Sequence, residues 1–319
     1  METNNTEQEL LNKKITTPTE EDFKNAWTDE YGAKYSQDRK RLLKGPNFEE
    51  YTILQGTTVI CDGAFVGCKS LKQINIPNSV THIGDYAFSK CYSLQQISIP
   101  NSVTHIGDDA FSACISLKQI TIPNSVTHIG KNPFHKCKNL RHIYCKSKKF
   151  KFKKKALYTS DKKTIISYIG KEKRFTILSG IIERFTIPSS VTHINDKAFC
   201  DCESLQQITI PNSVTHIGDS AFCRCRSLQQ ITIPNSVTHI GDSAFSCCYS
   251  LQQINIPNSV THIGDGAFWD CYSLQQVNIP NSVTHIVDRA FCGCYHLHQI
   301  NIPNSVTHIG KNPFERCHD

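Results

Sequence analysis

One phrase, I-P-N-S-V-T-H-I-G-D, written nine times with small changes, limits what this chain can fold into more than any other feature. Aligned on their prolines, the copies sit at Pro77, Pro100 and Pro123, and then at Pro188, Pro211, Pro234, Pro257, Pro280 and Pro303, 23 residues apart within each group. A fixed period of this size marks a solenoid, in which each coil buries its apolar face only against its neighbours. The chain has 319 residues, but a stack of coils needs no central core, so one extended body is expected rather than several globules.

Residues 228–250, LQQITIPNSVTHIGDSAFSCCYS, show what one coil requires. Leu228, Ile231 and Ile233 follow L-x-x-I-x-I, the spacing of a short strand that points these residues inward and Thr232 outward. Stacked coils then pair such strands in parallel, ~4.8 Å apart. Pro234 has no N–H to donate and ends the ladder. Val237 and Ile240 turn inward again, and Ala244, Phe245 and Cys248 form the opposite wall. The interior is therefore expected as columns, such as Phe222, Phe245, Phe268 and Phe291.

The full pattern, L-x-x-I-x-I-P-x-S-V-T-x-I-G-x-x-A-F-x-x-C, resembles the BspA-type leucine-rich repeat of bacterial surface proteins and of parasitic protists, over roughly residues 57–137 and 185–317. The resemblance implies a β-rich solenoid: a leucine-rich-repeat superhelix with short parallel strands, a binding role that is often adhesion or host contact, and no enzymatic activity. Cys61 and Val287 stand where other copies have Gly, so that position does not demand a positive φ.

The chain reads as one module used twice. AKYSQDRKRLLK at 33–44 resembles ALYTSDKKTIIS at 156–167, and each is predicted as a β-hairpin leading into an array. Both arrays finish alike, on HIGKNPFHKC and HIGKNPFERC. Thr19 followed by EEDFKNAWTDEY predicts a capped amphipathic helix carrying Phe23 and Trp27, suited to covering the open end of a stack. The expected organisation is 1–32 N-terminal helix and cap, 33–56 hairpin, 57–137 first array, 138–184 basic insert with hairpin, and 185–319 second array.

Sites are sought where coils differ, because a residue repeated in every coil is explained by stacking. From Lys131 to Arg174 sixteen Lys/Arg face only Asp161 and Glu172, a net of +14 in a chain of net +7. Within it, Lys146, Lys148, Lys149, Lys151, Lys153, Lys154 and Lys155 interleave with Phe150 and Phe152. Such a segment suits phosphates and stacked bases, an anionic membrane or an acidic protein; the alternative is a solvated loop whose phenylalanines tuck onto the solenoid. The second candidate is an aromatic column, Tyr249, Tyr272 and Tyr295 on consecutive coils with Trp269 nearby, residue types that anchor protein interfaces but also shield core edges.

Two further columns read as structural. The histidines His82, His105, His128, His193, His216, His239, His262, His285 and His308 are expected on a surface turn, without a metal, and their protonation should loosen the stack below pH ~6. The recurring cysteines are expected to be reduced and buried. The additional Cys200, Cys223, Cys247 and Cys292 leave pairing or zinc open, although C-x-C is a weak zinc knuckle.

No G-x-S-x-G, H-E-x-x-H or phosphate-binding Gly-rich loop is present, and identical coils cannot build one unique catalytic constellation. No catalytic residue and no cofactor is therefore expected. The outward Gln/Asn/Thr positions, such as Gln206, Gln207 and Thr209, offer hydrogen bonds but few anchors, and read as inert scaffold. The opening residues METNNTEQELLNKK lack the apolar stretch of a signal peptide, and no run reaches the ~18–20 apolar residues of a membrane span. A cytoplasmic protein is expected on that basis, a missing leader being the alternative; the family resemblance points instead to a surface or secreted one. The function expected is a non-enzymatic protein–protein interaction scaffold. Nucleic-acid or anionic-surface binding through residues 145–158 is the alternative.

Overall fold

The computed structural model describes residues 13–169 and 184–317. Where the sequence suggests one continuous body, the chain divides into two compact units, residues 1–155 and 156–319, and each is a β-solenoid. The segment expected as a basic insert is shared between them.

Each coil contributes two short strands. In the first, exemplified by Gln230–Thr232, Ile231 is buried between two exposed polar residues, and pairing with Gln207–Thr209 is parallel and in register. The second is His239–Ile240, paired in the same way with His216–Ile217. The sequence reading placed these histidines on a turn; they lie on a strand instead. The reason is visible in their neighbours. Ser236 Oγ donates to the Val214 carbonyl of the preceding coil (2.6 Å) and Thr238 Oγ1 to that of Thr215 (3.4 Å), which holds the intervening backbone extended against it.

The third wall is tied differently. Ser220, Phe222 and Arg224 donate backbone N–H bonds to Asp242, Ala244 and Ser246 of the next coil (2.8, 2.8 and 2.7 Å). This requires left-handed backbone at two positions per coil, Ser220 and Arg224 here, then Ser243 and Cys247. Glycine takes these positions only at Gly63, Gly67, Gly266 and Gly293.

The interior forms the expected columns. In unit 2, Phe199, Phe222, Phe245, Phe268 and Phe291 are fully buried, with neighbouring rings 5.1–5.4 Å apart and within 10° of parallel. Phe65, Phe88 and Phe111 repeat the arrangement in unit 1. The repeat cysteines do more than fill space. Cys225, Cys248 and Cys271 each donate Sγ–H to a phenylalanine carbonyl 26 residues earlier, at 3.2 Å.

The Gly-Asp pair of the phrase forms one more inter-coil device. Asp219 N–H donates to Asp196 Oδ1, Asp242 N–H to Asp219 Oδ1 and Asp265 N–H to Asp242 Oδ1, each at 2.9 Å. The carboxylate reaches that N–H only by crossing the space a side chain would fill. A Cβ on Gly241 would lie 2.5 Å from Asp219 Oδ1, and one on Gly264 2.7 Å from Asp242 Oδ1. Close approach, not a positive φ, is thus why Gly precedes Asp. The exceptions obey the same rule. Cys61 and Asn195 open their arrays, with no aspartate coil before them. Val287 lies where Gly is missing, and the bond from Asp288 N–H to Asp265 is absent among the described residues. Lys131 and Lys311 replace Asp in the terminal coils; each still donates its N–H, to Asp108 and Asp288, but passes no carboxylate on.

Hairpins open both arrays. Lys34–Tyr35 pairs antiparallel with Arg41–Lys44, which then pairs in parallel with Val59–Ile60 of the first coil. Ala156–Thr159 and Thr164–Tyr168 do the same against His193–Ile194. Both turns use one device: Asp38 accepts from Ser36 Oγ and Lys40 N–H, and Asp161 from Thr159 Oγ1 and Lys163 N–H.

The N-terminal helix differs from expectation. It spans only Glu20–Lys24, begins with the Thr19–Asp22 capping box, and buries no residue. Trp27 lies outside it, on the strand Trp27–Thr28, with the Arg39 guanidinium 4.1 Å from its ring. The apolar cover comes from Ile15 and Ala26 against Leu43, Val59 and Cys61, and Arg41 clamps the helix through two 2.9 Å bonds to Asp22.

Candidate functional site

The column that follows the repeat cysteine in unit 2 runs Glu203, Arg226, Tyr249, Tyr272, Tyr295. Coil spacing turns this order into continuous contact. Glu203 and Arg226 form an ion pair (3.7 Å), the Arg226 guanidinium lies 5.4 Å from the centre of the Tyr249 ring, Tyr249 stacks on Tyr272 (4.6 Å, 3°), and Tyr295 follows at 5.2 Å and 35°. Tyr249 and Tyr272 are half-buried, whereas Tyr295 is 44% exposed. Desolvation, with Asp270 beside it, pushes the Tyr272 hydroxyl up to about 12, so it stays protonated and able to donate at physiological pH. Trp269 is equally exposed at 44%, one position before Asp270, and shares no ring contact with the tyrosines among the described residues. The structure therefore assembles the three tyrosines into one ladder, extends it with Arg226, and leaves Trp269 as a separate projection.

In unit 1, Lys146, Lys148, Lys149, Lys151, Lys153, Lys154 and Lys155 are all exposed. The phenylalanines between them are not free to stack on bases. Phe150 is buried, and Phe152 is half-buried with its ring edge-on to His142 at 5.6 Å. The ring that stays exposed next to the lysines is Tyr144, 49% exposed and 4.4 Å from the His142 ring, rather than either phenylalanine. Lys146 also closes one end of an open groove of about 600 Å³ that crosses three coils and is lined by the amides and hydroxyls of Gln73, Asn75, Gln96, Ser98, Gln119 and Thr121.

The histidines stack rather than converge. His82 and His105 rings lie 4.5 Å apart and 7° from parallel, and His262 and His285 4.3 Å and 15°. In His82, His105, His193, His216, His262 and His285 the Nδ1 is engaged by the preceding threonine, as in Thr104 Oγ1 to His105 at 2.7 Å. Because that hydroxyl donates its own proton to the Thr81 carbonyl (3.2 Å), the tautomer assigned is Nδ1–H, donating to Thr104 Oγ1. Burial, and the charges His82 and His128 would carry, pull the His105 imidazole down to about 4. Parallel rings with one nitrogen engaged do not present two lone pairs to one ion.

The sixteen cysteines are all free thiols. In the repeat column, burial raises the Cys91 and Cys271 thiols and keeps them protonated. Cys200 and Cys223 differ: they occupy equivalent positions on adjacent coils, are only partly buried, and lie close enough to shift each other's titration in opposite directions.

Comparison with known proteins agrees with this architecture. The model of the BspA type leucine rich repeat region matches residues 39–164 and 171–298, with six copies. The chain belongs to this family. Among solved structures, a leucine-rich repeat protein from Eubacterium ventriosum is 27% identical, with 84% of this chain and 82% of that one covered and a TM-score of 0.67. A leucine rich cell surface protein from Faecalibacterium prausnitzii is 28% identical over 87% and 86%, with a TM-score of 0.56. The pneumococcal vaccine antigen PcpA shares the fold at 19% identity, over 89% and 82%, with a TM-score of 0.56. No curated protein matches significantly.

Within a BspA-type coil, then, the recurring Ser, Thr, Asp and Cys spend their hydrogen bonds on the neighbouring coil. The side chains left for recognition are those that break the repeat. Among the described residues no helix is long and apolar enough to cross a membrane.

Proposed function

We propose that this protein is a non-enzymatic scaffold that binds a protein partner through the ladder Arg226, Tyr249, Tyr272 and Tyr295 together with Trp269. The observation that carries this reading is the continuity of the ladder. Three tyrosines, stacked and preordered by the coil spacing, present amphipathic surface that loses little conformational freedom on binding, and Tyr, Trp and Arg are the residue types in which interface energy concentrates. The family's repeat architecture supports a scaffold role. The resemblance to a cell surface protein supports contact with an external partner, hence adhesion or host contact and a surface location.

A second reading rests on the exposed lysines. With Phe150 buried, their attraction for nucleic acid or an anionic surface is electrostatic and salt-sensitive rather than base-specific. Capture from lysate distinguishes the two, using wild type, a variant with Tyr249→Ser, Tyr272→Ser, Tyr295→Ser and Trp269→Ser, and one with Lys148, Lys149, Lys151, Lys153, Lys154 and Lys155 changed to Gln. A partner retained after nuclease and lost only with the aromatic changes supports the ladder. Capture that needs the lysines and disappears with nuclease or salt replaces it with the second reading.

A further inference from the structure

Cys200 and Cys223 interrupt the pattern by which this protein buries its thiols. Each repeat cysteine from Cys225 to Cys294 is inside and donates to a phenylalanine carbonyl. Cys200 and Cys223 instead follow the buried Phe199 and Phe222, keep partial access to solvent, and face each other across the gap between coils. The backbone fixes their register. Phe199 N–H donates to the Ala221 carbonyl and Asp201 N–H to that of Cys223, both at 2.8 Å, so the bonds flank the two cysteines on either side. The Phe199 and Phe222 rings beside them lie 5.1 Å apart, a coil spacing within the roughly 4.4–6.8 Å Cα separation a disulfide spans. The next coil places Ser246 at the equivalent position, so the column holds two adjacent thiols and then a hydroxyl.

The surroundings divide the pair into two roles. The neighbouring Cys200 thiol, the nearby Arg224 charge and the Ser246 hydroxyl bring Cys223 down to about 7 against the burial that raises it. Cys200 donates its S–H to Asp201 Oδ2 (3.4 Å), and the closeness of Cys223, burial and that carboxylate hold it protonated. Asp201 in turn faces Arg224 at 4.0 Å.

We propose that Cys200 and Cys223 are a peroxide-reactive thiol pair that closes to a disulfide between two coils of unit 2, with Cys223 the attacking and Cys200 the resolving thiol. In the first step Cys223 thiolate attacks one oxygen of hydrogen peroxide. An S–O bond forms as the O–O bond breaks, sulfur is oxidised to a sulfenic acid, and the departing hydroxide takes a solvent proton to become water. In the second, Cys200 gives up its proton and its sulfur attacks the Cys223 sulfenic sulfur. The S–S bond forms, hydroxide leaves, and the proton from Cys200 makes it water. Two thiols and one peroxide become one disulfide and two waters.

The test uses the full chain, fully reduced and then exposed to a small excess of hydrogen peroxide. Cleavage before aspartate and after arginine separates Cys200 (residues 196–200) from Cys202 (201–218), and Cys223 (219–224) from Cys225 (225–226). The expected product joins the first and third peptides with the loss of two hydrogens. Before oxidation, Cys223 should react with iodoacetamide at pH 7 about tenfold faster than the repeat cysteines do after denaturation, from its larger thiolate fraction. In Cys223→Ser both the fast reaction and the link disappear; in Cys200→Ser the link disappears and dimedone traps a sulfenic acid on Cys223. Peptides that stay separate in oxidised wild type, or a link through Cys202 instead, overturn the proposal whatever the variants do.

Discussion

Gly241→Ala tests the Asp–Gly device at its narrowest point. On general grounds an alanine at a glycine without positive φ stabilises a protein by about 0.4–1 kcal/mol, by restricting the unfolded chain. The structure reverses that sign. The new Cβ would meet Asp219 Oδ1 at 2.5 Å, Asp219 N at 2.7 Å and the Gly218 carbonyl carbon at 2.7 Å. The carboxylate can rotate away, but only by giving up the 2.9 Å bond from Asp242 N–H, a loss of about 1 kcal/mol. The two backbone atoms cannot rotate, and the shift they require costs about 1–3 kcal/mol, as overpacking does elsewhere. After the unfolded-state gain, a net loss of about 1–3.5 kcal/mol remains. Val287 shows that such a side chain is accommodated, with one rung missing, so the variant should fold. Urea denaturation followed by circular dichroism gives the change directly. Val287→Gly, with its rung restored, should raise the midpoint, while Asn195→Gly, with no aspartate coil before it, should not. A Gly241→Ala protein as stable as wild type, or more so, refutes the account of why Gly precedes Asp.

The pH response of unit 1 follows from groups of opposite sign, the histidines His82 and His105, both lowered by burial, and Asp85. His105, lowered to about 4 by burial, contributes stability that is intact above the unfolded pKa of ~6.5 and lost as pH falls towards 4. By pH 5.5 this amounts to about 1 kcal/mol once discounted for partial exposure. Asp85, raised to about 6 by burial beside Asp108 and Asp62, runs the other way: its contribution is complete below ~3.8 and lost as pH rises through 6. Wild type should therefore melt lower at pH 5.5 than at 7.5, the histidine loss being only partly offset by Asp85; Asp85→Asn should lose more at pH 5.5 and His105→Gln less, and two variants that both track wild type would sink this reasoning. Ser243, held at φ 54°, should gain about 0.5–1 kcal/mol on substitution by glycine, as Gly266 already does one coil later at φ 53°. A lower urea midpoint for Ser243→Gly would contradict it.

Sequence alone determined the periodic part of this protein. A 23-residue spacing admits only a stack, and inward alternation at Leu228, Ile231 and Ile233 fixed strand, register and core columns, because burial on one face leaves no other choice. The tyrosine column was also legible, since in-register stacking turns positions 23 apart into neighbours. Even the Asp–Gly rule was written there, in Cys61 and Asn195 at the array starts and in Lys131 and Lys311 at their ends, though the reason for the pattern was not. Only the tertiary structure could supply it, because the space a Cβ would need is filled by a carboxylate from another coil. The same holds wherever partners come from outside the phrase. The histidines became strands through bonds from Ser236 and Thr238 to the coil before. Trp27 left the helix to meet Arg39 on the cap. Phe150 turned inward, so the lysines cannot use its ring as a stacking surface. Period is a property of the chain, but the direction a side chain faces at a break in that period is decided by what packs against it.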